Sequence, residues 1–286
     1  MPFLMVSISM IDIVTVVFQD ELDVLKLQAQ SIDLYCHDMN LGQIYVVIND
    51  DSVGVDSIDT AWWGTLSNRV KVLHRQNWNV DYLDNGWLTQ QLLKLLTAAH
   101  STNDWSMILD AKTIFVQQVK LDRIFDKDGR VVWGYLPVFP VFEPARKKVS
   151  ELFNINQTHV IGPAGVPFLF YNSTVRDMIK EVESRTSKQF SNWFQEAGVV
   201  TEFILYSGYV QFCDGTLEHR YVNGFLNVYN LCNVCHNEVD QFDSKYLEMQ
   251  HDSVLTVSIH RGAWNKLSDL QKNNYQKLLS DAGIKI

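Results

Sequence analysis

The sequence predicts an α/β fold on a mostly parallel sheet. Three observations predict it: short β-branched runs suited to buried strands, helix-length segments between them, and runs that end on acidic or amide residues. The first run is Ile11 to Phe18 (IDIVTVVF), closed by Gln19 and Asp20. Glu21 to Tyr35 follows as a helix, with Leu22, Leu25 and Ala29 on one side. Gln43 to Ile48 (QIYVVI) is a second strand, stopping at Asn49, Asp50 and Asp51, and Arg69 to Leu73 is a third. Gly86 to Val116 reads as an amphipathic helix, a polar turn and a buried strand, Trp105 to Leu109, ending in Asp110. Strands separated by helix-length segments imply crossover connections and a Rossmann-like first half.

The second half is less regular. Val131 to Phe142 (VVWGYLPVFPVF) is aromatic and broken by proline, which suits sheet edge and loop. Pro167 to Tyr171 is a short strand, with a helix from Thr174 to about Ser184. Val200 to Val210 is a buried helix carrying one acid, Glu202, and Ser253 to His260 is a late strand. A terminal helix from Lys266 to Asp281 closes on Gly283.

Composition bounds the function. With 286 residues, 47% of them hydrophobic, the chain can bury one large core, and we expect a single domain with halves at 1–116 and 117–286. A net charge of -9 argues against nucleic acid as the main partner, although one phosphate group needs only a few local cations. No apolar run reaches membrane-spanning length. The apolar N-terminus lacks a basic leader, and four cysteines without an export signal suggest the cytosol.

Candidate site residues gather at strand ends. Asp110 closes a buried strand where open α/β sheets bind ligands, and Lys112 and Thr113 add a cation and a hydroxyl. Gln91 and Lys94 share a helical face. This combination suits a charged, phosphate-bearing ligand.

The segments IDIVTVVFQDE, IYVVINDD, GWLTQQLLKL, MILDAKTIFV, VPFLF, TEFILYSGYV and VSIHR stand in order along the chain. As an ordered set they resemble a GT-A-type glycosyltransferase, and more narrowly a glycosyltransferase-like family of bacteria and their phages. The resemblance implies a GT-A-like fold that moves a sugar from a nucleotide-sugar donor, a UDP-sugar first, to a hydroxyl of a glycan or other acceptor. It places Thr15, Asp50, Asp51, Gln91, Lys94, Asp110, Lys112, His260 and Arg261 on the donor side. It makes Glu202 and Asp110 the catalytic candidates, with Glu202 as base or acceptor anchor. It makes Asp110 and His260 the candidate ligands of Mn²⁺ or Mg²⁺. In that family the strand-end motif is usually Asp-x-Asp; here Asp110, Ala111 and Lys112 stand in its place. An ammonium at that point can supply part of the positive charge a metal normally provides, so metal-dependent and metal-independent action both stay open. The implied location is a bacterial or phage-infected host cytosol.

Plainer readings stand beside these. Asp110 can cap a turn, helix lysines are commonly solvated, and turn chemistry alone explains an Asp50–Asp51 pair. Glu202 can be a hydrogen-bonded structural acid, and His260 and Arg261 a structural pair. A non-catalytic carbohydrate binder on a degenerate fold is the alternative that the missing second Asp favours. A sugar nucleotidyltransferase would need a glycine-rich basic loop after the first strand, where this chain has FQDELD. Cys232-Asn233-Val234-Cys235-His236 has the haem-attachment spacing without an export signal, and even with Cys213 or His219 it matches no standard zinc knuckle. Of Trp62, Trp63, Trp78, Trp87, Trp133 and Tyr135, one or two are expected to line a sugar site.

Overall fold

The computed structural model describes residues 10–80, 85–132, 135–161, 166–222, 227–231 and 239–286, with 222 the last before 239 whose side chain is included. The Cys232–His236 motif and Trp133 lie outside these residues, as does the apolar N-terminus up to residue 9.

The fold is α/β, a mostly parallel sheet flanked by helices. In chain order its first half runs β1 (Ile11–Val17), α1 (Leu22–Tyr35), β2 (Leu41–Ile48), β3 (Val70–His74), α2 (Gly86–His100), β4 (Trp105–Asp110) and β5 (Ile114–Phe115). The second half runs α3 (Leu121–Ile124), β6 (Val131–Val132), β7 (Tyr135–Pro137), α4 (Glu143–Phe153), β8 (His159–Ile161), β9 (Phe168–Tyr171), α5 (Asn172–Thr186), α6 (Phe190–Ala197) and α7 (Glu202–Asp214). It then continues through β10 (Tyr221–Val222), β11 (Asn227–Leu231), the helix Phe242–Met249, β12 (Val254–Ile259), a turn of helix at Arg261–Trp264 and the helix Asp269–Asp281.

The central sheet has the order β3-β2-β1-β4-β9. The first four strands are parallel and β9 pairs antiparallel with β4. β1 is apolar at every position but Asp12 and Thr15 and is buried throughout, as a central parallel strand covered on both faces should be. The chain winds outward from β1 to β2 and β3, then returns across β1 to β4. In open α/β sheets ligands bind where the strand order reverses, and here that point is the carboxyl ends of β1 and β4, where Val16 pairs with Asp110. The ligand-facing edge follows from strand order alone.

A second sheet, β11-β12-β5, grows directly from this edge. β5 begins four residues after Asp110 and pairs antiparallel with β12, Ile114 against Val257 and Phe115 against Thr256. The pairing returns the end of β12, and with it His260, to the Asp110 turn. Two residue pairs thus bring together Asp110 and His260, which are 150 residues apart in sequence.

On the other side α7 packs on α4 and carries Glu202 at its first turn. Gly208 makes this packing possible, because a Cβ there would collide with the Val149 side chain. Gly208→Ala is expected to cost about 1–3 kcal/mol through overpacking, read as a lower urea midpoint at unchanged slope. The predicted terminal helix begins later than expected: Ser268 caps it, its hydroxyl accepting from the Gln271 amide, so Lys266 and Leu267 precede it.

Candidate functional site

Asp110 is the last residue of β4, and its carboxylate lies between two ammoniums. Lys94 Nζ donates to Oδ1 at 2.9 Å and Lys112 Nζ donates to Oδ2 at 2.9 Å. Burial alone would raise the Asp110 carboxyl, but the two lysines hold it well below the usual carboxylate range. Asp110 and Lys112 keep 20% of their side-chain surface, whereas Lys94 keeps 3%. Lys112 is therefore the cation at the mouth and Lys94 the one beneath.

Lys94 reaches this position from α2, whose Trp87, Gln91 and Lys94 recur at helical spacing on one face. Its ammonium also donates to Glu202 Oε1 at 3.2 Å and lies 5.8 Å from the centre of the Phe203 ring. Burial alone would lower the Lys94 pKa, and Asp110 and Glu202 together drive it upward. Glu202 is fully buried. Burial pushes its carboxyl up and Lys94 offsets only part of that. With the Gln91 nitrogen turned to the carboxylate, it donates to Glu202, and the Gln91 oxygen accepts from the Trp87 indole at 3.3 Å. The outermost member, Trp87, is 48% exposed. The α2 stripe thus runs from an open indole to a buried ion pair.

The turn bearing Asp110 is held from behind. Gln28 Nε2 donates to the Asp110 carbonyl at 2.6 Å and to the Thr113 carbonyl at 2.9 Å. Its oxygen accepts from the Thr15 hydroxyl at 2.8 Å. Thr15 is buried, so it supports the turn through Gln28 and does not face the crevice. Gln28→Leu would take one of two donors from the Asp110 carbonyl, which keeps the Thr113 amide, and would remove the Gln28 partner of the Thr113 carbonyl and of the buried Thr15 hydroxyl. At about 1–3 kcal/mol for an unsatisfied buried group, it should lower stability measurably and loosen the Asp110 turn. Amide hydrogen exchange at Thr113, which donates to the Asp110 carbonyl, checks the second effect.

Three further groups complete the edge. Glu21, in the helical turn between β1 and α1, accepts from the Phe18 amide at 3.2 Å and interacts electrostatically with Lys112, Asp110 and Lys94. Burial raises its carboxyl, with Lys112 the largest opposing influence. His260 accepts from the Gly262 amide through Nδ1 at 3.1 Å, leaving Nε2 to carry the proton of the neutral ring. Partial burial and the nearby Lys112 lower its pKa. Arg261 forms an exposed ion pair with Asp20, joining the ends of β12 and β1.

The β2 end serves the turn. Asp50 accepts from the Ser52 hydroxyl and amide at 2.6 and 2.9 Å and from the Gln19 amide at 3.2 Å, which together lower its pKa. Asp51 pairs with the buried guanidinium of Arg75. Both acids are engaged within the protein.

The candidate residues thus fall into two sets. Gln91, Lys94, Asp110, Lys112, Glu202 and His260 converge; Thr15, Asp50, Asp51 and Arg261 make supporting contacts. The sequence does not mark Glu21 and Gln28, because an acid just before a helix and an amide in mid-helix are ordinary, and only strand order brings them beside Asp110. A divalent ion is a poor fit to these residues. Both Asp110 oxygens already accept from ammoniums, and His260 Nδ1 accepts from a backbone amide. Among the described residues no group of three or more His, Cys, Asp or Glu is placed to hold a metal.

Comparison with known proteins adds the following. A model described as a family of unknown function (DUF6492) matches residues 5–266. No curated protein matches the sequence. Among solved structures, the chain is similar to the galactosyltransferase LgtC in complex with donor and acceptor sugar analogs, with TM-score 0.47, 10% identity, and coverage of 94% of this chain and 95% of that one. An active-site mutant of LgtC gives TM-score 0.47 and 12% identity over the same shares.

Proposed function

The chain belongs to the family of unknown function DUF6492, and from the geometry of its charged edge we propose that it transfers a sugar from a nucleotide-sugar donor to an acceptor hydroxyl, without a metal. A UDP-sugar is the first donor to test, and a glycan hydroxyl the first acceptor. The observation that carries the reading is the chain Lys112–Asp110–Lys94–Glu202 at the sheet crevice.

A nucleotide sugar breaks at the bond between the sugar and the diphosphate, and negative charge grows on the departing phosphate. Catalysis needs fixed positive charge at that place. Lys112 supplies an ammonium there, held by Asp110 rather than free to sample other rotamers. Asp110 remains anionic beside it, and Lys94 neutralises that charge from below. Glu21 and Glu202 are both pushed toward their neutral forms by burial. Each proton they take up moves the cluster toward net positive charge.

The carboxylates divide the remaining work by basicity and access. Asp110 is held so acidic that it is a poor proton acceptor; it suits hydrogen bonds from donor sugar hydroxyls. Glu202 has the raised pKa but lies behind Lys94, so it positions that lysine. Glu21 combines partial exposure with a raised pKa, which suits removal of a proton from an acceptor hydroxyl. Glu21→Gln should reduce turnover by about 10²–10⁴-fold while leaving donor binding within a few-fold. Equal loss of binding and turnover would remove Glu21 from this role.

The testing experiment is thermal denaturation with nucleoside diphosphates and nucleotide sugars, each with Mn²⁺, Mg²⁺ or EDTA. A ligand at a hundred times its dissociation constant adds roughly 2.7 kcal/mol. The expected result is a shift with one nucleotide that survives EDTA. A shift that EDTA abolishes overturns the metal-free reading, and no shift with any nucleotide overturns the donor. Proton linkage gives a separate check. A bound diphosphate raises the pKa of Glu21 and Glu202 further, so binding takes up protons and weakens as pH rises. Calorimetry in buffers of different ionisation enthalpy should record that uptake.

A further inference from the structure

A cleft of about 390 Å³ lies at the other end of the central sheet, and nothing in the proposed reaction uses it. Its back wall is Trp105, the first residue of β4. Asp110 is the last residue of that strand, so the two sites are separated by roughly 17 Å at about 3.3 Å per residue. The volume falls within the roughly 300–1,000 Å³ typical of small-molecule sites.

The lining decides the class of ligand. Trp105 and Tyr171 form an aromatic wall, with ring centroids 4.9 Å apart. Two guanidiniums line the cleft, yet both are satisfied within the protein. Arg130 is paired with Asp126 and Asp128, and Arg220 with Asp214. Asp128 and Asp177 add carboxylates that are 58% and 60% exposed. The two lining acids match the two guanidiniums in number, and Asp126 and Asp214 also pair with those guanidiniums, so the cleft has no surplus positive charge for a phosphate or carboxylate ligand. What the cleft offers is the partly exposed Tyr171 ring, backed by the buried Trp105, among the polar groups of Asp177, Ser173 in the first turn of α5, and the exposed His219. Carboxylates accept from vicinal hydroxyls, and an imidazole or a serine can donate or accept. An uncharged ligand with one apolar face and many hydroxyls matches this set, and a pyranose is such a ligand.

We propose that this cleft is a second carbohydrate-binding site, separate from the charged edge and selective for neutral saccharides. It does not depend on the transferase reading, since a sugar can bind here whatever happens at Asp110. If that reading holds as well, the cleft gives a glycan a point of attachment remote from the reacting hydroxyl.

Saturation-transfer NMR tests it, with D-glucose, D-galactose, D-mannose, N-acetyl-D-glucosamine, maltotriose and chitotriose as probes. At least one is expected to receive saturation. The double variant Asp177→Ala/His219→Ala should weaken its binding at least tenfold, and Ser173→Ala should weaken it less. All three side chains lie at the surface, and unchanged melting of the variants confirms their folding. Lys112→Ala should leave saccharide binding intact, and the double variant should leave any nucleotide-induced thermal shift intact. The proposal is overturned if no probe is saturated, if binding survives the double variant, if Lys112→Ala abolishes it, or if inorganic phosphate displaces the sugar.

Discussion

Lys94→Met is expected to destabilise the protein by about 3–5 kcal/mol, the cost of leaving a buried charge without its partner. Lys94 is 3% exposed and is the common partner of Asp110 and Glu202, so its loss leaves both acids short of a cation. Asp110 keeps Lys112; among the described ionic groups, Glu202 keeps no cation within salt-bridge distance. The remedy follows from that asymmetry. Glu202→Gln in the Lys94→Met background should recover a large part of the loss, because a neutral amide needs hydrogen bonds and no counter-charge. Urea denaturation of the two single variants and the double variant forms a closed cycle. Additive effects would show that Lys94 and Glu202 do not act as a pair.

The pH dependence of stability gives the same test a second readout. Asp110 has a folded pKa below its unfolded value of about 3.9, so its contribution is present above that value and is lost as pH falls through the folded one. Lys94 has a folded pKa above its ordinary value of about 10.4, so its contribution is present below that value and is lost as pH rises toward the folded one. Removing Lys94 weakens the depression of Asp110. The acid limb of the stability curve should therefore flatten in Lys94→Met, and the alkaline limb should lose the share that Lys94 provided.

How far the sequence alone leads depends on whether a feature is local or assembled. The strands of the central sheet are local: β-branched runs such as IDIVTVV and QIYVVI admit few other readings, and their polar ends mark the ligand edge. The α2 face is local too, since helical spacing aligns Gln91 with Lys94. The pairing of Lys94 with Glu202, 108 residues apart, is assembled by the packing of α2, α7 and β4. Thr15 shows the opposite failure. The resemblance implies a donor contact for it, but its side chain is buried and its hydroxyl donates to Gln28. Glu21 carries no signal in the sequence, because acids are common in first helical turns. Its significance comes from β1 lying beside β4, which only the order of the sheet reveals.

Lys112→Ala is expected to cut the nucleotide-induced thermal shift to about half or less while leaving the unliganded protein close to its original stability. The difference from Lys94 lies in exposure. At 20% side-chain exposure Lys112 is partly solvated, and Asp110 retains the buried ammonium after its removal. A charge-assisted hydrogen bond is worth about 1.5–3 kcal/mol, so donor affinity should fall by roughly tenfold to a hundredfold. Turnover should fall further, by about 10²–10³-fold, because the ammonium is needed most when the departing phosphate carries its full charge. Lys112→Arg should restore binding more than turnover, since a guanidinium keeps the charge but reaches the phosphate with a different, planar geometry. Adding Mn²⁺ to Lys112→Ala separates two explanations. If the ion restores turnover, Asp110, freed of one ammonium, has become a metal ligand, and the lysine and the metal are interchangeable sources of the same charge. If it does not, the site depends on a fixed ammonium in a way that a freely exchanging ion does not reproduce. A Lys112→Ala protein with undiminished donor turnover would show that the positive charge at this edge has no part in the reaction.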